Sequence, residues 1–224
     1  MFRHVPNLLT GARLLLAIIF FFMLSWYQYE GRGDPTFLNI AFLIYLIALF
    51  TDFLDGYLAR KWKVEGAFGR VVDPFVDKVL VLGSFAFFAG KNFIIPDPVA
   101  IEPATNMVVK TITGVTPAMV VILLARELLV TSLRGSAESG GVAFGAAMSG
   151  KVKMVVQSMT ILVILVYVNY LGWLVAHPQW NRWAEHVRNF CIYLTLAITL
   201  YSGFTYIRRA IGLYRRGPQH ELAS

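Results

Sequence analysis

The sequence predicts an all-α membrane protein, a polytopic bundle of six transmembrane helices. Of its 224 residues, 57% are hydrophobic and only 15% charged, whereas a typical soluble domain carries about 25% charged residues. Apolar stretches of roughly 20 residues, each able to cross a hydrocarbon core about 30 Å thick, recur along the chain. They fall at about 8–29, 37–60, 71–93, 116–134, 151–175 and 187–213. Too little chain is left between them for a soluble domain, so 1–224 reads as one membrane domain with a basic tail over about 208–224.

The first stretch follows Arg3 and His4, as a secretory signal would. It continues into Trp26, Tyr27 and Gln28 without a small-x-small cleavage site, which favours a retained span. A turn-rich connector, 30–36, leads to the second span. In the third, Pro74 directly after Asp73 should start the helix or disturb it. The outer segment 94–116 holds Pro96, Pro98 and Pro103, and Pro117 suits the first turn of the fourth span. Segment 135–150 carries Gly135, Gly140, Gly141, Gly145 and Gly150, which suits a mobile loop beside a site or a plain flexible linker. The single cysteine, Cys191, lies within the sixth span, where a free thiol behaves as a small hydrophobe.

The net charge of +7 follows topology rather than nucleic-acid binding. With both termini in the cytoplasm, the inner segments hold Arg3, Arg60, Lys61, Lys63, Arg70, Arg126, Arg134, Lys151, Lys153, Arg208, Arg209, Arg215 and Arg216. The outer ones hold only Arg32, Lys91, Lys110, Arg182 and Arg188, as the positive-inside rule expects. Arg13 and Lys78 fall within spans. The tail also suits anionic headgroups.

Four of the six aspartates, Asp52, Asp55, Asp73 and Asp77, crowd between residues 52 and 77. Ionised groups at membrane depth are costly without a partner or a wet cavity. On a helix, Asp52, Asp55, Gly56, Ala59 and Arg60 span an arc of about 140°, and Gly69, Asp73 and Asp77 fall within about 80°. Two helices joined by a short basic loop can therefore turn four carboxylates toward one another. Bare, these would repel; divalent cations remove the conflict, and oxygen ligands suit Mg²⁺ or Mn²⁺. Gly56 and Ala59 leave room for a flat ligand and Arg60 can grip a phosphate. Gly56, Ala59 and Gly69 also suit plain helix packing.

Residues 52–77 read Asp-x2-Asp-Gly-x2-Ala-Arg-x8-Gly-x3-Asp-x3-Asp, which resembles the signature of the CDP-alcohol phosphatidyltransferases at every defining position. The resemblance implies a six-helix membrane fold in the cell inner (plasma) membrane, a homodimer, and a site facing the cytoplasm. It implies that the four aspartates hold two metal ions on the diphosphate of CDP-diacylglycerol. By the same resemblance Gly56, Ala59 and Gly69 line the cytidine pocket, Arg60 holds phosphate, and Asp77 is the general base.

The acceptor is read from the rest of the chain. Arg126, Arg134, Lys151 and Lys153 gather near the inner ends of the fourth and fifth spans, although topology alone also places cations there. Such a cluster suits an acceptor that carries its own phosphate. Glu127 and Arg134, seven apart, share a helix face, so Glu127 can orient Arg134. The stretches 125–134, 150–157 and 6–13 resemble family members that use glycerol 3-phosphate, which implies that acceptor and CMP as leaving group. Asn7 and Thr10 read as possible site residues or as helix-start residues. Arg13, inside the first span where snorkelling works less well, also reads as a possible site residue, as does Glu127. Inositol phosphate or phosphatidylglycerol as acceptor is the alternative within this chemistry. A cation-dependent transporter, with acids near the midplane of broken helices, or a structural scaffold fits the pattern less well.

Overall fold

The computed structural model describes the backbone of residues 5–28, 34–62, 67–94, 111–139 and 148–216, with side chains except at 5–7, 53, 55–62, 67–74, 138, 149 and 213–216. Among these residues there are seven α-helices: α1 (Val5–Trp26), α2 (Pro35–Trp62), α3 (Ala67–Phe88), α4 (Pro117–Ser139), α5 (Met148–Asn169), α6 (Leu171–Ala176) and α7 (Pro178–Arg216). A single 3₁₀ turn (Lys91–Phe93) follows α3. The described residues contain no β-strand beyond one isolated bridge, Ile94 to Thr111. The all-α class holds.

Local chemistry sets the helix ends. The Asp34 carboxylate accepts the Thr36 amide at 2.8 Å, with Pro35 as the first helical residue of α2. Thr116 does the same for α4 ahead of Pro117, accepting from the Met119 amide at 3.4 Å. Carbonyls left over at the far ends of α1 and α3 find side-chain donors. Asn92 Nδ2 bonds Ser25 O at 2.9 Å and Thr113 Oγ1 bonds Phe88 O at 2.7 Å.

Several boundaries differ from the sequence reading. Helix α3 begins seven residues before Pro74 and runs through it, so that proline does not start the helix. Helix α4 continues to Ser139, so residues 135–139 are helical and 140–147 lie outside the described residues. Thr10 sits well inside α1 and is buried, so it is not a helix-start residue. The fifth apolar stretch breaks at Tyr170 into α5 and the short α6. Helix α7 starts at Pro178 and has 39 residues, about 58 Å, longer than any single crossing.

Four helices are long and apolar enough to cross a membrane by length and composition: Leu8–Trp26, Pro35–Asp52, Gly150–Asn169 and Pro178–Gly212. Among the described residues of the other two long helices, α3 and α4, no such stretch is found; α4 carries Arg126, Glu127 and Arg134. The molecule's apolar exterior fits a membrane protein: Phe22, Phe50, Leu128 and Phe190 are each more than 60% exposed, a surface water would not tolerate over such an area.

The core joins α1, α2, α3 and α5 through Phe20, Leu24, Tyr45, Phe85, Ile161 and Ile164. Small residues Ala17, Ala41 and Ala48, all fully buried, let α1 and α2 approach closely. Gly83 does so for α1 and α3, since a Cβ there would lie 2.5 Å from the Phe21 ring. Helices α5 and α7 pair along a polar seam, where Thr160 and Thr195 hydroxyls meet at 2.8 Å and Gln157 reaches Thr199 at 3.4 Å. The six long helices alternate in direction. One end of the bundle gathers Trp26, Trp173, Trp180 and Trp183, all exposed, as at a headgroup boundary. The opposite end gathers the charge.

Candidate active site

At the charged end three helices meet on one guanidinium. Arg13, fully buried on α1, donates from Nη1 to Asp52 Oδ1 at 2.6 Å and to Asp77 Oδ1 at 2.8 Å. Asp52 stands late in α2 and Asp77 on the third turn of α3, so the first and last acids of the spaced pattern face each other across α1. Arg13 is 1% exposed at its side chain, Asp52 39% and Asp77 23%; the arginine needs the acids more than they need it. The two carboxylate oxygens share one guanidinium nitrogen, so a single positive charge already draws both to one place. Oxygen donors in that arrangement fit a hard divalent ion.

Asp55, Gly56, Ala59 and Arg60 belong to the backbone of α2, and Gly69 and Asp73 to that of α3; their side chains lie outside the described residues, as does that of Asn7. Among the described residues no three potential metal-binding side chains come together, with two of the four aspartates represented.

Asp77 also lines a cavity of about 330 Å³ walled by α3, α4, α5 and α7. Lys78, Arg126, Arg134, Lys151 and Lys153 bring five cations to it, against the two carboxylates of Asp77 and Glu127. Val81, Leu82, Val130 and Met154 complete an apolar wall, which strengthens the field of the charges it encloses. The cations predicted on α4 and α5 therefore converge, and they converge beside the acid predicted as base.

Within the cavity each charge has a defined seat. Glu127 Oε1 accepts from Arg126 Nη1 at 2.7 Å and from Lys153 Nζ. Arg126 also donates to the Ser202 hydroxyl and lies over the Tyr206 ring, 5.6 Å from its centroid. Arg134 Nη2 donates to the Tyr206 hydroxyl at 3.3 Å. Glu127 thus orients Arg126 and Lys153, not Arg134: a seven-residue step shares a face but lies about 10 Å along the axis, while Lys153 arrives from a neighbouring helix. The Nε atoms of Arg126 and Arg134 are buried without a hydrogen-bond partner among the described residues, which leaves donors for an anion. Lys151 is exposed at the rim.

Lys78 and Tyr206, which line the cavity, and Ser202, which holds Arg126 from behind, escaped the sequence reading as site residues. Lys78 donates to Thr131 Oγ1 at 2.7 Å, and Thr131 in turn donates to the Glu127 carbonyl. A lysine inside an apolar span beside an aspartate is a visible signal. Ser202 and Tyr206 left none, because they join the site only through the packing of α7 on α4.

Comparison with known proteins gives a consistent result. The family described as CDP-alcohol phosphatidyltransferase matches residues 3–201 of the chain. Proteins named CDP-diacylglycerol–glycerol-3-phosphate 3-phosphatidyltransferase are similar over nearly the whole length. That of Escherichia coli (strain K12) is 27% identical over 213 residues, covering 92% of this chain and 94% of its own. That of Salmonella typhimurium (strain LT2) is 27% identical over 215 residues, covering 93% and 96%.

Proposed function

Since the chain belongs to the CDP-alcohol phosphatidyltransferase family, we propose that this enzyme transfers the phosphatidyl group of CDP-diacylglycerol to glycerol 3-phosphate, forming phosphatidylglycerophosphate and CMP. The observation that carries the acceptor is the position of Asp77, at once beside Asp52 and on the wall of a cavity with five cations. A small alcohol that bears its own dianionic phosphate matches that cavity; serine or inositol would leave its cations unused.

The residues divide the work as follows. Lys78, Arg126, Arg134, Lys151 and Lys153 hold the acceptor's phosphate and so direct its free hydroxyl toward Asp77. Asp77 takes the hydroxyl proton as the oxygen attacks the phosphatidyl phosphorus; the bond to the CMP oxygen breaks and CMP leaves with its electron pair. Gly56, Ala59 and Gly69 seat the cytidine and Arg60 a phosphate of the donor. Asp52, Asp55, Asp73 and Asp77 would hold Mg²⁺ or Mn²⁺, two ions in this reading, which supply positive charge to the diphosphate as it parts. Arg13 fixes the angle at which Asp52 and Asp77 are presented.

In the same reading all six long helices cross the inner membrane, with α3 and α4 sheltering their charges inside the bundle. Residues 1–224 form one domain, both termini and the site face the cytoplasm, and two copies make a homodimer. The test is CMP release by purified protein in detergent–lipid micelles containing CDP-diacylglycerol. Release should require both a divalent ion and an acceptor, with glycerol 3-phosphate preferred over serine, inositol, inositol phosphate and phosphatidylglycerol. Undiminished release in excess chelator would overturn the metal assignment, and preference for an unphosphorylated alcohol would overturn the acceptor.

A further inference from the structure

We propose that Tyr206 is a positioning residue for acceptor binding, holding Arg126 by its ring and Arg134 by its hydroxyl so that both arginines meet the acceptor's phosphate already aimed. The inference rests on the cation-lined cavity being the acceptor site. Tyr206 is only 2% exposed, yet it lines that cavity from α7, a wall that among the described residues brings no charged side chain to it. Its ring lies under the Arg126 guanidinium at 5.6 Å, and its hydroxyl accepts from Arg134 Nη2 at 3.3 Å.

The tyrosine is itself held. Val130 of α4 and Ala210 of α7 pack with it in a small separate apolar cluster. On its other side a Cβ at position 150 would lie 3.3 Å from the hydroxyl, so Gly150 lets α5 close against it. Residues from three helices therefore fix one ring, and that ring fixes two cations from α4.

The physical gain is in ordering. A free arginine side chain has many rotamers, and freezing it on binding costs affinity. Arg126 is already held at Glu127 and Ser202, and the ring face adds a contact that leaves its N–H edge open. Arg134 spends one donor of five on the hydroxyl, which sets the direction of the rest. Tyr206 touches neither the attacking nor the leaving oxygen in this scheme, so its effect falls on acceptor affinity.

Steady-state kinetics on the purified full-length enzyme test this, varying glycerol 3-phosphate and CDP-diacylglycerol separately. Tyr206→Phe should raise the KM for glycerol 3-phosphate about five- to tenfold, the loss expected for one hydrogen bond of ordinary strength. The kcat, the KM for CDP-diacylglycerol and the thermal midpoint should stay within about twofold or a degree. Tyr206→Leu should raise that KM further. In Tyr206→Phe/Arg134→Ala the rise should fall short of the product of the single effects.

An unchanged KM in Tyr206→Phe overturns the proposal, as does an equal loss in kcat and both KM values, the mark of a merely structural role. Should Tyr206→Leu fail to fold, Tyr206→Phe alone decides. Arg134→Ala separates the two levels of inference. If it leaves the acceptor KM unmoved, the cavity is not the acceptor site and both readings fall. If it raises that KM while Tyr206→Phe does not, only the role of Tyr206 falls.

Discussion

Replacing Arg13 by methionine removes the charge that holds three helices at the acidic end while keeping the length of the side chain. In the native protein one guanidinium nitrogen serves Asp52 at 2.6 Å and Asp77 at 2.8 Å. Breaking a fully buried ion pair by deleting one partner costs about 3–5 kcal/mol. Here the acids are partly wet, with Asp52 39% and Asp77 23% exposed, so solvent takes up part of their charge. Asp52 then contributes at the surface scale, about 1 kcal/mol, and Asp77 somewhat more, giving a net loss of about 2–3 kcal/mol. For a chain of this size that lowers the thermal midpoint by about 5–10 °C. The assay is thermal unfolding in detergent, followed by intrinsic tryptophan fluorescence with and without Mg²⁺. The variant leaves two carboxylates facing each other without a counter-charge, so Mg²⁺ should raise its midpoint more than that of the parent. A midpoint within about a degree of the parent would refute the view that Arg13 holds the acidic end together.

Other substitutions probe the remaining parts. Asp77→Asn should reduce CMP formation by at least about a hundredfold, the scale of a lost general base, while binding of CDP-diacylglycerol, measured by equilibrium dialysis, persists. Retained turnover would remove Asp77 as base. Glu127→Gln leaves Arg126 and Lys153 buried with less compensating charge and should cost about 2–4 kcal/mol in thermal stability; a stability equal to the parent's would show that the cations are otherwise satisfied. Gly83→Leu places side-chain atoms where the Phe21 ring stands and should destabilise by about 1–3 kcal/mol. Adding Phe21→Ala should recover part of that loss, and full additivity of the two would argue against the close approach of α1 and α3.

The amino-acid sequence by itself determined the helical class, the approximate course of each apolar stretch and the faces on which the acids lie. These are local properties. A helix repeats every 3.6 residues, so the spacing of Asp52 to Arg60 and of Gly69 to Asp77 sets which residues share a face before any packing occurs. Arg13 was legible for a similar reason, since a charge at that depth needs a partner; its pairing with both Asp52 and Asp77 was not. Helix ends were read less well. Pro74 does not start α3, and Gly135 stays helical in α4; one glycine costs a helix only about 1 kcal/mol, too little to end it by itself.

Only the tertiary structure decided which faces meet. Seven residues separate Glu127 from Arg134 on one face, yet the carboxylate closes on Arg126 and on Lys153 from α5. Arg134 turns instead to Tyr206, 72 residues away in sequence. Periodicity orients a side chain about its own helix axis, but the neighbour it finds depends on how helices cross, and that is set by small residues and volume spread over the whole bundle. Residues such as Ser202 and Tyr206 carry no local mark of their role, since their role is to complete charges that other helices bring.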